Sequence, residues 1–360
     1  AVTRSTWAGR FVLVAGCLAS AAGCTGSGSS GSAAISTPTA AARASGTAPT
    51  GGAVPSASRP APASSAPAPA PTAAKPAAAL SVALAPWRLP SPLSRMAALA
   101  APGGGIELLG GLLNGDHSSA QVQHVALPGG AVTADGRLAV GVHDTAGAVV
   151  GTSMVVYAGG AASEVAVVQR AVRGGTAATA GALPQPRSDL VVATVGDQVV
   201  VLGGYDGTHT LADVLVSRGG GPFSVLATLP VPVRYPAFVV RGNTVLLYGG
   251  DVARKPTDVI QRVDLATGKA TVVGHLPRPT GHAAAVVLGG AVWLAGGTTP
   301  SGTSASIFRS TDGVTFRPAG ALPGPRSDEG VVVVGGVGYL VGGETPSRTA
   351  TVVTLTPSTG

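Results

Sequence analysis

An apolar run that ends in two glycines recurs six times along this chain. The copies are IELLGG, closing at 110–111, MVVYAGG at 159–160, VVVLGG at 203–204, VLLYGG at 249–250, VWLAGG at 296–297 and GYLVGG at 342–343. Their first glycines lie 49, 44, 46, 47 and 46 residues apart. A second mark keeps step: a leucine, usually followed by proline, stands at Leu89, Leu138, Leu183, Leu229, Leu276 and Leu322. Two marks that hold one period through six copies define a repeat architecture, in which each unit buries its apolar face against its neighbours.

The third unit shows the internal plan. LPQPRSD (183–189) leads into the apolar run LVVATV, a Gly196-Asp197 turn, and QVVVLGG. A polar loop, YDGTHT, then precedes a third run around ADVLVS, a glycine-rich turn at 219–221, and a fourth run, FSVLATL. Short runs joined by glycine turns are hairpins. The first two runs are nearly all apolar, as suits strands covered on both faces. With 54 glycines and 29 prolines among 360 residues, long helices are disfavoured.

The last copy ends after its third run, TATVVTLT (349–356), whereas ALSVALAPWRLP (79–90) precedes the first copy in the position of a fourth. The pattern therefore predicts an all-β, six-bladed β-propeller over 78–360, with four antiparallel strands per blade. The N-terminal strand is expected to complete the last blade, because closure removes exposed sheet edges.

These features resemble the kelch-repeat family. The likeness is carried by the double glycine that ends the second strand and by the lead-in LP-x-P-R-x-D, seen as LPQPRSD and LPGPRSDEG. It departs where that family places a tryptophan after the third strand: Phe223 and Phe316 hold this position in two copies, small residues in others. The segment STDGVTF (310–316) is also similar to the Asp-box of sialidase-like propellers, one residue short.

The N-terminal region reads differently. Arg4 and Arg10 precede FVLVAGCLASAAGC (11–24), a basic segment and a short apolar run of the secretory type, too short for the roughly 20 residues of a spanning helix. Its end resembles a bacterial lipobox. Cys24, which opens into TGSGSSGS, is the favoured lipid-attachment site over Cys17, and cleavage after one of the alanines without lipid is the alternative. Residues 25–77 are almost wholly Ala, Ser, Pro, Thr and Gly, a composition that cannot bury enough surface to offset ordering and reads as a tether. The expected placement is outside the cytoplasmic membrane, held by an N-terminal lipid.

Charge supports that division. The net charge is +7, yet five basic residues and no acidic one precede residue 78, leaving +2 on the rest. Interspersed charge of that kind gives no footprint for nucleic acid. The only cysteines are Cys17 and Cys24, so the repeats hold no disulfide and no cysteine nucleophile.

In a propeller the links between blades and the loops after the double glycines share one face. That face collects Arg95, His143, Asp144, Arg187, Asp189, Arg234, His282, Arg326 and Asp328 from the links, and Asp206 and His209 from the loops. An Asp at the sixth position after the leucine can equally cap a turn or pair with a neighbouring Arg. The histidines of this face come from separate blades without ligand spacing, so no metal is expected, nor any cofactor. No motif names a catalytic residue or a reaction. The expectation is a monomeric, non-catalytic module that recognises an unknown protein or glycan. The alternative implied by the resemblance is a carbohydrate-active enzyme of the sialic acid mutarotase type, with Arg187, Asp189, Arg326 and Asp328 near a central pocket. The resemblance also brings in galactose oxidase, whose cysteine-crosslinked tyrosine is excluded by the lack of cysteine after Cys24.

Overall fold

The computed structural model describes residues 79–358; the leader, Cys24 and the tether lie outside the described residues. The described chain is a six-bladed β-propeller with no helix. In blade 3, Val191–Val195, Gln198–Leu202, Asp213–Arg218 and Ser224–Thr228 follow one another as an antiparallel meander. Blades 4 and 5 repeat that order, and blades 1 and 2 contain it. Gly175–Thr176 adds a short fifth strand, parallel to the outer strand of blade 1. Two-residue ribbons follow the double glycines of blades 1, 4 and 5.

Closure occurs as the sequence predicts. Ala79–Arg88 forms the outer strand of blade 6, antiparallel to Thr351–Ser358, with Val82 opposite Leu355 and Leu84 opposite Val353. The first strand of each blade touches the first strands of both neighbours, and these contacts return to their start. Every pairing of a third with an outer strand carries a register shift, a bulge that increases local twist.

The core is divided rather than central. Six apolar clusters occupy the six gaps between adjacent blades. Because side chains alternate along a strand, one second strand serves two gaps. Val200 and Leu202 pack toward blade 4, while Val199 and Val201 pack toward blade 2. This double burial is why these runs are continuously apolar. Phe223 packs edge-on against Tyr157 of the preceding blade at 6.1 Å, and Phe316 against Tyr248 at 5.2 Å.

The double glycines join the blades. The N–H of the second glycine donates to the carbonyl of the fourth residue after the next blade's leucine. The six bonds run from Gly111 to Val142, Gly159 to Arg187, Gly204 to Val233, Gly250 to Thr280, Gly297 to Arg326 and Gly343 to Leu93. The preceding residue is left-handed throughout, at Gly110, Ala158, Gly203, Gly249, Gly296 and Gly342. A Cβ on Gly110 would lie 2.5 Å from the Val142 carbonyl, so glycine suits both conformation and space. In blade 2 the structural pair is therefore Ala158-Gly159, not Gly159-Gly160. The chain there is set one residue earlier than the sequence motif suggests, which accounts for the odd spacing of 44.

Candidate binding site at the mouth of the axial channel

The sixth residue after each repeat leucine forms a ring around the axis. Its members are Arg95, Asp144, Asp189, Tyr235, His282 and Asp328, one from each blade, all with φ between 48° and 59°. Five backbone bonds link them, each N–H donating to the same position of the blade before it: Arg95 to Asp328, Asp189 to Asp144, Tyr235 to Asp189, His282 to Tyr235 and Asp328 to His282. A left-handed backbone is unfavourable for these side chains, at about 1 kcal/mol or more each, and persists only where surrounding structure imposes it. Here the imposing structure is the bridge made by the residue before. Ser94, His143, Ser188, Arg234, Gly281 and Ser327 pair with Leu112, Gly160, Tyr205, Asp251, Thr298 and Glu344 respectively.

The six side chains line one polar cavity of about 140 Å³, and the seventh-position residues Met96, Thr145, Leu190, Pro236, Ala283 and Glu329 form its floor. The same floor residues border a second cavity of about 260 Å³, walled mostly by Ala, Val and Phe238 of the first strands. The two compartments thus meet at the seventh position. Five of its six residues are apolar or small; Glu329 is the exception.

Charge converges here. Arg95 lies 3.3 Å from Asp144, 3.7 Å from Asp328 and 3.0 Å from Glu344. Arg234 reaches to 2.6 Å from Asp189, and His282 to 2.7 Å from Asp328 and 3.4 Å from Asp251. Arg95 Nη1 and Arg234 Nη2 both donate to the Tyr235 hydroxyl at 3.3 Å.

Burial and neighbours set the protonation states. Burial works against the His282 imidazolium, but Asp328 and Asp251 outweigh it and push the group up to about 10. Burial likewise opposes the charge on Arg95, and the surrounding carboxylates override it, so its pKa is raised. Asp328 is held below the usual carboxylate range because His282 and Arg95 overcome its burial. Three acids go the other way. Burial raises Asp144 despite Arg95. It raises Asp189 to about 7, with Asp144 adding repulsion, and Glu329 to about 8.

Of the residues expected on this face, Arg95, Asp144, Asp189, Arg234, His282 and Asp328 come together at the mouth. His143 stands beside them, its Nε2 3.5 Å from Asp144. Arg187 and Arg326 turn into their own blades. Arg187, wholly buried, clamps Asp213 in a two-bonded pair at 3.0 and 2.7 Å and donates to the Gly203 carbonyl. Arg326 donates to the Gly342 and Thr351 carbonyls and the Thr351 hydroxyl. Asp206 and His209 sit on the blade 3 loop, where Asp206 Oδ1 accepts from the backbone N–H groups of Thr208 and His209.

Tyr235 and Glu329 also line the mouth and were not among the expected residues. The signal for Tyr235 was the offset of six that already marked Asp144, Asp189 and Asp328. The signal for Glu329 was a charge at a position otherwise held by Met, Thr, Leu, Pro and Ala. Among the described residues no group of three or more His, Cys, Asp or Glu has the geometry to hold a metal.

The mouth can exchange hydrogen bonds with a polar ligand from donors and acceptors on all sides, and two of its acids titrate near neutrality. Its volume is below the roughly 300 Å³ of ordinary small-molecule pockets, which suits one small moiety. No protein-family model and no curated protein matches this chain.

Proposed function

We propose that this chain is an exported, lipid-anchored propeller of the kelch type. On this reading it is a non-catalytic binding module that recognises a protein or glycan through the mouth of its axial channel. The observation that carries this reading is the convergence of one sixth-position side chain from every blade on a single polar cavity. Loops on a rigid scaffold are where recognition residues concentrate. The double glycines and the LP-x-P-R lead-ins support the kelch assignment, and the basic-apolar segment ending at Cys24 supports the anchor.

Affinity capture from envelope extracts with the mature chain tests the recognition reading. A specific partner should be lost with Arg95→Ala and kept with Asp264→Ala, whose turn joins a third to an outer strand on the opposite face. Equal capture by both variants would sink it. Palmitate labelling that disappears in Cys24→Ala tests the anchor.

A second reading, a carbohydrate-active enzyme of the sialic acid mutarotase type, is favoured by two acids held near neutral pH, where general acid–base groups work best. Accelerated sugar anomerisation that vanishes in Asp189→Asn would select it.

A further inference from the structure

The mouth holds more carboxyls than cations. Arg95, Arg234 and His282 face Asp144, Asp189, Asp251, Asp328, Glu329 and Glu344. The ion pairs use up the cations and leave specific oxygens over. Asp144 Oδ1, Asp189 Oδ1, Asp251 Oδ1 and both oxygens of Glu329 are buried without a hydrogen-bond partner. Asp189 is only 4% exposed. An unpartnered buried carboxylate is costly, and retaining a proton lowers that cost. Of the mouth acids with free oxygens, Asp144, Asp189 and Glu329 have raised pKa values. Glu329 feels Arg326 and His282 as cations and Asp328 as an anion; Asp189 feels Arg234 against Asp144. Burial prevails over these neighbours, so near neutrality Glu329 keeps most of its proton and Asp189 part of its own.

We propose that the channel mouth binds an amino sugar with a free amine, its ammonium group seated among Asp144, Asp189 and Glu329 and its hydroxyls met by the rim. This rests on the reading of the mouth as the recognition site, and it selects a glycan over a protein as the partner. An ammonium group supplies three donors and one positive charge, which is what the surplus oxygens lack. A metal ion would supply the charge, but the ligand geometry for it is missing among the described residues. A lysine side chain would supply the same ammonium but lay an apolar methylene stem against the charged rim of Arg95 and Tyr235, where a sugar brings hydroxyls. The sugar satisfies both levels at once, and a cavity of about 140 Å³ suits one ring rather than a chain of them.

Calorimetric titration of the mature chain with glucosamine, N-acetylglucosamine, glucose and Nα-acetyl-lysine amide at pH 7 tests this. Glucosamine should bind at least tenfold tighter than the other three. Its binding should release protons, read as a heat that varies with buffer ionisation enthalpy, because the ammonium displaces the protons on Asp189 and Glu329. Glu329→Gln should weaken glucosamine at least fivefold and reduce the proton release. Asp189→Asn should do the same, and circular dichroism checks that both fold. Equal binding of N-acetylglucosamine, tighter binding of the lysine derivative, or unchanged proton release in both variants would overturn the assignment. If neutral sugars bind as tightly as glucosamine and Arg95→Ala abolishes that binding, the amine assignment falls while the mouth stands as the recognition site. If no sugar binds and partner capture ignores Arg95→Ala, both fall together.

Discussion

The ring of Tyr235 lies against that of His282, with centroids 3.8 Å apart and planes inclined by 26°. These residues occupy the same position in consecutive blades, so the stack bridges a blade boundary at the axis. His282 is also held by Asp328 and Asp251, and its imidazolium should persist well above neutral pH. Nuclear magnetic resonance titration of the His282 ring should place its midpoint near the upper end of the histidine range. Asp328→Asn should bring it down by at least one unit, and an unchanged midpoint would contradict the pairing. Tyr235→Phe should preserve the stack while removing the acceptor used by Arg95 and Arg234.

Stability should fall as pH rises. Asp189, Glu329 and His282 have ordinary values of 3.8, 4.5 and 6.5, and the fold raises them to about 7, 8 and 10. Each therefore binds its proton more tightly folded than unfolded. The stabilisation is complete below the ordinary value and is lost as pH climbs through the raised one, at up to about 1.4 kcal/mol per pH unit and group. Asp328, whose pKa is lowered, acts in the opposite sense and matters only under acid conditions. Thermal melts should thus peak near pH 4 and decline toward pH 9. Glu329→Gln should flatten the decline between pH 5 and 8.

Ala158 sits at φ 55° where the other blades have glycine. Ala158→Gly removes that strain but loosens the unfolded chain, and the net expectation is a gain of up to about 1 kcal/mol by denaturant titration. The reverse change, Gly204→Ala, places a Cβ 2.6 Å from the Ser188 carbonyl at φ 104°. It should destabilise by at least about 2 kcal/mol. Gly196→Ala, at φ 59° in an open turn, should cost only about 1 kcal/mol.

Arg187→Met should destabilise strongly, because it strands Asp213 and the Gly203 carbonyl next to a buried side chain. Breaking a buried pair from one side costs about 3–5 kcal/mol. Ligand affinity in the surviving folded fraction should be unchanged, which separates this arginine from Arg95. A loss of binding without a loss of stability would place Arg187 at the recognition surface instead.

Removing Ala79–Arg88 should leave Thr351–Ser358 as a bare edge and uncover Val353 and Leu355 of the gap between blades 5 and 6. Size-exclusion chromatography should show association or aggregation. A compact monomer with an unaltered melting temperature would argue that the seam contributes little.

The architecture was legible because its signal is periodic. Double glycines and leucines repeat, and the missing fourth run after TATVVTLT pointed directly to ALSVALAPWRLP. The site was legible only in part. Asp144, Asp189 and Asp328 declare themselves as charges at one offset, and Arg95 and His282 follow from it, but an aromatic such as Tyr235 reads as core until the offset is applied. Arg187 and Arg326 shared the lead-in motif with Asp189 and Asp328 yet point elsewhere. Two residues earlier, on a link that turns at the fifth and sixth positions, the side chain faces the blade instead of the axis. Sequence spacing does not record that turn. The shift in blade 2 was hidden for a related reason: Ala158 adopts a conformation its residue type does not advertise.

Ala79–Arg88 and Thr351–Ser358 are nearly the whole folded length apart in the chain, yet they form one seam. A ribosome adding roughly 5–20 residues per second needs tens of seconds to travel between them. Throughout that interval the earliest strand has no sheet to join, and the other blades can stack only as an open arc. The circle is therefore locked only once Thr351–Ser358 has been made, and the cavity at its hub, which draws on every blade, acquires its shape no earlier.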